Sequence, residues 1–136
     1  MTAATHVGLG AAAVDTGTRY ATERTQFGRA IGSFQAVKHL LADAFAEVEL
    51  ARAAVHSAAV MFDETAGPAV VTRAVVGARV LASRAAQRAT RACIQVHGGM
   101  GYTWDIDAHL YLKRALVLDT HFGSLDEARD RLVSAL

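Results

Sequence analysis

Apolar residues recur from Phe34 to Glu64 in alternating steps of four and three: Val37, Leu41, Ala44, Val48, Ala51, Val55, Ala58 and Phe62. That spacing keeps one face of a helix apolar over several heptads. Leu40 and Phe45 widen the stripe, while Asp43, Glu47 and Arg52 lie off its seam. Thr65-Ala66-Gly67-Pro68 breaks the pattern. Pro68 suits the first turn of a new helix, where its missing N–H is not needed. From Pro68 to Val96 the pattern resumes with smaller side chains, at Val71, Ala74, Ala78, Leu81, Ala85, Ala89, Ala92 and Val96. Small residues on a stripe let two helices approach closely. Each helix has about 30 residues and is roughly 45 Å long at 1.5 Å per residue. Joined by so short a break, the two form an antiparallel hairpin.

The flanks are also helical. Thr5 to Thr22 carries a ragged apolar face at Val7, Leu9 or Gly10, Ala13, Val14 and Tyr20. Thr25 to Ser33, with Gly28 and Gly32, reads as a loop. Asp107 to Leu118 places Leu110, Leu112, Ala115 and Leu118 on one side. Gly123-Ser124 ends it, and Ser124 with Glu127 three residues later forms a capping box for a last helix to Leu136. No strand pattern and no repeat emerges. The expectation is an all-α, up-down four-helix bundle filling residues 1–136 as one domain.

Composition narrows what such a bundle does. Of its 136 residues, 52% are hydrophobic and 20% charged, which suits a folded domain. The net charge of +1 gives no general field for nucleic acid or an anionic membrane. Lys38 and Lys113 are the only lysines among 14 basic residues. Arginine bonds phosphate and carboxylate bidentately, which suits partly buried anion contacts. Cys93 is the single cysteine, so no intrachain disulfide is expected and a cytoplasmic setting is. The first residues lack a basic region, and Asp15 ends their apolar run, so neither a signal peptide nor a membrane span is read.

Two loops carry candidate chemistry. In Glu23-Arg24-Thr25-Gln26-Phe27-Gly28 a charged helix end runs into an aromatic and a glycine. This is either an ordinary C-terminal cap or an anion clamp, with Arg24 on a phosphate, Gln26 donating a hydrogen bond and Phe27 offering a flat face. In Gln95-Val96-His97-Gly98-Gly99-Met100-Gly101 three glycines interrupt a good helix. They are either a plain helix stop or bare backbone that lets a ligand reach the amides. A glycine cluster after a helix is not the dinucleotide fingerprint, which follows a strand. Among six histidines, His97, His109 and His121 fall in different elements, and no metal-site spacing joins them. Cys93, near an apolar seam, reads as packing. Asp105 and Asp107 have no partner for acid–base work, and Asp107 reads as an N-cap.

Taken together, Arg24-Thr25-Gln26-Phe27-Gly28, Ile31-Gly32-Ser33-Phe34-Gln35, Leu41-Ala42-Asp43 and Gln95-Val96-His97-Gly98-Gly99-Met100-Gly101-Tyr102 resemble the C-terminal helical domain of acyl-CoA dehydrogenases. The resemblance spans almost the whole chain. It implies an FAD-dependent oxidation of acyl-CoA thioesters, with electrons passed to an electron-transferring flavoprotein. It also implies a homo-oligomer, or a heteromer with a longer subunit that carries the N-terminal helical and middle β domains. By resemblance, Arg24 holds the pyrophosphate of a neighbouring subunit's FAD, Gln26 and Phe27 line that flavin, and Gln95 with the Gly98–Gly99 backbone meets its adenosine-diphosphate half. No catalytic residue is assigned. One family branch places its proton-abstracting glutamate where this chain reads His121-Phe122-Gly123-Ser124, so phenylalanine stands in its place. The thioester oxidation needs that carboxylate, so the chain alone is expected to be inactive. The alternative is a non-catalytic oligomerisation module with a vestigial flavin site, since the long apolar stripes predict association.

Overall fold

The computed structural model describes residues 1–63, 67–121 and 123–134. Helix α1 spans Thr2–Glu23, α2 Gln35–Asp63, α3 Pro68–His97, α4 Ala108–Thr120 and α5 Leu125–Ser134. The bundle is all-α, as its periodicity predicts, with one local exception. Thr25–Gln26 and Arg29–Ala30 form strands β1 and β2, an antiparallel pair with Gln26 opposite Arg29. Two residues per strand leave no alternation to read, so this hairpin escapes a search for strand periodicity.

Helix α3 is the centre. Its second half is buried almost all round, at Ala82, Ser83, Ala85, Ala86, Ala89, Thr90, Ala92, Cys93, Ile94, Val96 and His97. The small residues there do what their size predicts. A methyl group added at Gly10 of α1 would lie 2.8 Å from Val48 Cγ2 and 3.5 Å from Ala86 Cα. One added at Gly17 would lie 3.2 Å from Leu41 Cδ2 and 3.4 Å from Cys93 Cα. Position thus rises along α1 and α3 while it falls along α2, so neighbouring helices run up and down.

Several stripe positions depart from expectation. Leu41, Ala44, Val48, Ala51 and Ala58 are buried, but Phe45 is 56% exposed and Phe62 70% exposed. On α3, Leu81 faces out and Ala82 faces in. Leu110 of α4 is likewise exposed. Helix α3 is wrapped on more than one side, so a single stripe does not exhaust its buried face. Pro68 opens α3 with Gly67 as N-cap, as expected; the preceding Glu64, Thr65 and Ala66 lie outside the described residues. The capping box forms: Ser124 N donates to Glu127 Oε2 and Glu127 N to Ser124 Oγ, both at 3.1 Å. Asp107 holds the N-cap position of α4, but only its carbonyl engages the helix; its side chain makes no capping bond.

A buried polar knot fixes α4 against α1 and α3. Ser83 Oγ donates to Asp119 Oδ1 at 2.6 Å and Gln87 Nε2 to Asp119 Oδ2 at 2.7 Å. His6, fully buried on α1, sets Nε2 3.1 Å from Asp119 Oδ1 and 3.2 Å from the Ala115 carbonyl. Arg79 Nη2 donates to the Asp119 and Gly123 carbonyls at 3.3 and 2.6 Å. Burying polar groups costs free energy unless they find such partners.

Candidate functional site

Both candidate loops lie at the same end of the bundle. The Tyr20 ring near the end of α1 stacks on His97, the last residue of α3, with centroids 4.1 Å apart. Its hydroxyl lies 3.9 Å from Met100 Sδ. Beneath them Ala21, Leu41 and Val96 form a small apolar cluster flanked by Ile31 and Val37. Hydrophobic burial therefore brings the start of the first loop beside the start of the second, although 80 positions separate Tyr20 from Met100.

The first loop is a tight hairpin. Arg24 ends α1 with its N–H donating to the Tyr20 carbonyl at 2.9 Å, and its own carbonyl accepts the Ile31 N–H at 2.8 Å. The guanidinium thus rises from a stem fixed on both sides. It is exposed and has no ion pair among the described residues. Phe27 and Gly28, at the turn, both have positive φ, 53° and 77°. A two-residue hairpin turn of the primed type requires this, and for phenylalanine it is strained. The turn holds the Phe27 ring 91% exposed, edge-on to Phe34 at 6.1 Å, while Arg29 lies 4.1 Å over the Phe34 ring. The Gln26 amide donates to the Thr25 carbonyl at 2.8 Å and is otherwise open to solvent.

The glycines of the second loop divide by role. Gly101 is packed: a Cβ there would sit 2.7 Å from the Ile94 carbonyl oxygen. Gly98 needs its positive φ of 60° to end α3. Gly99 has neither reason. Its φ lies outside the left-handed region, and a Cβ added there would meet nothing within 4 Å. Among the described residues nothing packs against the position of a Cβ at Gly99, as is also true at Gly8, Gly67 and Gly77. Gln95, one turn earlier on α3, is exposed and lines a groove of about 470 Å³ with Gln87, Arg88 and Arg91. Of the six candidate residues, Arg24, Gln26, Phe27, Gln95, Gly98 and Gly99, all are exposed and all flank one end of the bundle.

The other candidates are engaged structurally. His97 Nδ1 lies 2.7 Å from the Cys93 carbonyl, so that nitrogen donates. His109 Nδ1 lies 3.1 Å from the Ile106 carbonyl, with its ring edge-on to Trp104. His121 Nδ1 lies 3.0 Å from the Val117 carbonyl. No group of three metal-ligating side chains gathers among the described residues. Phe122 lies outside them. Burial pushes the Cys93 thiol up to about 11, which removes the thiolate that nucleophilic chemistry needs. Alkylation of Cys93 at pH 8 is accordingly expected to run on the order of a hundredfold slower than for an exposed thiol near pKa 8.5, and to reach the ordinary rate on unfolding. A mass-spectrometric time course with iodoacetamide, with and without denaturant, checks this.

An arginine without an ion pair among the described residues, a strained aromatic turn and an open glycine edge thus lie at a single end of an all-α bundle. The family described as the acyl-CoA dehydrogenase C-terminal domain matches residues 1–136. The chain belongs to that family. It is 42% identical over 113 residues to the acyl-CoA dehydrogenase IpdE2 of Mycolicibacterium smegmatis, covering 83% of this chain and 34% of the relative. Its fold superposes on butyryl-CoA dehydrogenase from Megasphaera elsdenii with a TM-score of 0.93 at 28% identity, covering 98% of this chain and 34% of that one. The ChsE4–ChsE5 complex from Mycobacterium tuberculosis gives a TM-score of 0.88 at 29% identity, covering 98% and 35%. The chain thus spans about a third of the length of these proteins. Among the described residues no helix is long and apolar enough to cross a membrane.

Proposed function

We propose that this chain supplies the helical-bundle share of an inter-subunit FAD site in an acyl-CoA dehydrogenase, and that it does not turn over substrate by itself. The observation that carries the reading is Gly99: a bare, open backbone edge at the same end of the bundle as an arginine without a counter-ion. Arg24 holds one side of a diphosphate by charge-assisted bonds, and the Gly98–Gly99 backbone lets the same ligand lie against main chain. Phe27 and Gln26 border the flavin, and Gln95 reaches its adenosine-diphosphate half. When bound, FAD supplies the two-electron acceptor for α,β-oxidation of an acyl-CoA thioester. The proton-abstracting carboxylate and the remaining walls of the site come from outside residues 1–136, either from further domains of the same protein or from a longer acyl-CoA dehydrogenase subunit. Electron-transferring flavoprotein is the onward acceptor, and a cytoplasmic setting fits that partnership.

The test is co-expression with a full-length acyl-CoA dehydrogenase subunit, followed by FAD titration and acyl-CoA turnover with an artificial electron acceptor. Arg24→Ala is expected to weaken FAD capture by the complex at least tenfold, since a bond to a charged group contributes about 1.5–3 kcal/mol. The isolated chain is expected to show no turnover above buffer. Unchanged FAD affinity in a complex that still assembles would instead favour an oligomerisation module with a vestigial site.

A further inference from the structure

Among the described residues, the ring nitrogens of His6 meet only acceptors. Nδ1 lies 3.0 Å from the Thr2 carbonyl, and Nε2 lies 3.2 Å from the Ala115 carbonyl and 3.1 Å from Asp119 Oδ1. A neutral imidazole carries one N–H, so one of its nitrogens would turn a lone pair toward oxygen lone pairs. His6 is fully buried, so bulk water does not bring that nitrogen a donor. An unmatched polar contact in such a place is costly. The imidazolium donates from both nitrogens and satisfies every partner already in position. The carboxylate is matched in the same way. From α3, Ser83 Oγ donates to Asp119 Oδ1 at 2.6 Å and Gln87 Nε2 to Oδ2 at 2.7 Å. Arg79, the cation that α3 places beside this knot, directs Nη2 to the main-chain carbonyls of Asp119 and Gly123.

We propose that His6 and Asp119 form a buried imidazolium–carboxylate pair, a proton-dependent latch that holds α4 on α1. It is independent of the flavin reading above. The folded chain then keeps a proton that the unfolded chain has released once pH passes the ordinary histidine range, about 6.5. A proton bound only in the folded state makes stability fall as pH rises. The latch is therefore fully present below that range, while the carboxylate stays ionised. It is lost as pH climbs above the range, when the pair gives up its proton and the Nε2 lone pair is left facing Oδ1. Burial makes the geometry strict: breaking one side of such a pair is far costlier than never having formed it.

The test is nitrogen-15 NMR of the histidine side chains in the purified chain, titrated from about pH 6 to about pH 9 to bracket the ordinary histidine range. The His6→Gln variant identifies the His6 signals by their absence; should it fail to fold, nuclear Overhauser contacts to Ala115 identify them. Exposed His39 and His56 serve as references in the same spectra. Both ring nitrogens of His6 are expected to stay protonated after His39 and His56 have each lost one proton. Asp119→Asn is expected to release the second His6 proton at a lower pH than wild type does. Denaturant titrations give a separate readout. The ratio of the folding constants of wild type and His6→Gln is expected to fall as pH rises, by up to about tenfold per pH unit for one proton. Loss of a His6 ring proton in step with His39 and His56, an Asp119→Asn chain that holds both protons as wild type does, or a ratio that stays flat across the range would each overturn the proposal.

Discussion

Asp119→Ala is expected to lower folding stability by about 3–5 kcal/mol, the cost of stripping one partner from a buried charged network. The Asp119 side chain is only 13% exposed and takes Ser83 Oγ, Gln87 Nε2 and His6 Nε2 within 2.6 to 3.1 Å. Alanine leaves Ser83 Oγ and Gln87 Nε2 without the carboxylate they share, while His6 Nε2 keeps the Ala115 carbonyl at 3.2 Å. Asp119→Asn keeps an oxygen and the shape, and is expected to cost less than half as much. The effect concentrates where the knot joins elements. Helix α4 loses its ties to α1 and α3, and the Arg79 bonds to the Asp119 and Gly123 carbonyls lose their register. Denaturant titration measures the total, and hydrogen exchange over residues 115–121 measures its place. Loss of stability below 1 kcal/mol would show that water or neighbouring donors replace the carboxylate.

The second large effect separates two glycines two positions apart. Gly101→Ala drives a methyl group to 2.7 Å from the Ile94 carbonyl oxygen and 3.1 Å from Ile94 Cα, both rigid backbone. Overpacking of this kind costs about 1–3 kcal/mol. Gly99→Ala meets open space and is expected to change stability by less than about 0.5 kcal/mol. The order reverses for FAD. Gly99→Ala is expected to weaken flavin capture by the assembled enzyme because the methyl group occupies the ligand's approach, whereas Gly101→Ala acts on the fold first. Thermal melts of both variants beside FAD titrations of their complexes read the two effects independently. If Gly99→Ala leaves flavin affinity intact, the open edge serves something other than FAD.

Much of this architecture was legible in the chain's own order of residues. The period of Val37 to Phe62 and of Val71 to Val96 located α2 and α3, Pro68 marked where the second begins, and Ser124 with Glu127 announced α5. These signals are local: each depends on residues within two turns of one another, so backbone geometry alone translates them. The resemblance carried by Arg24–Gly28 and Gln95–Tyr102 pointed to the acyl-CoA dehydrogenase family, which the match across residues 1–136 bears out.

Tertiary structure decided the rest, because periodicity sets the phase of a helix but not the neighbours it meets. Phe45 and Phe62 lie on or beside a good apolar stripe yet face solvent, since α1 and α3 cover only part of α2. His6 and the Ala115 carbonyl meet across 109 positions, a pairing that no local pattern encodes. The three glycines of one short loop read identically in the chain. Only packing shows that Gly101 answers to Ile94, Gly98 to its own backbone angle, and Gly99 to nothing among the described residues.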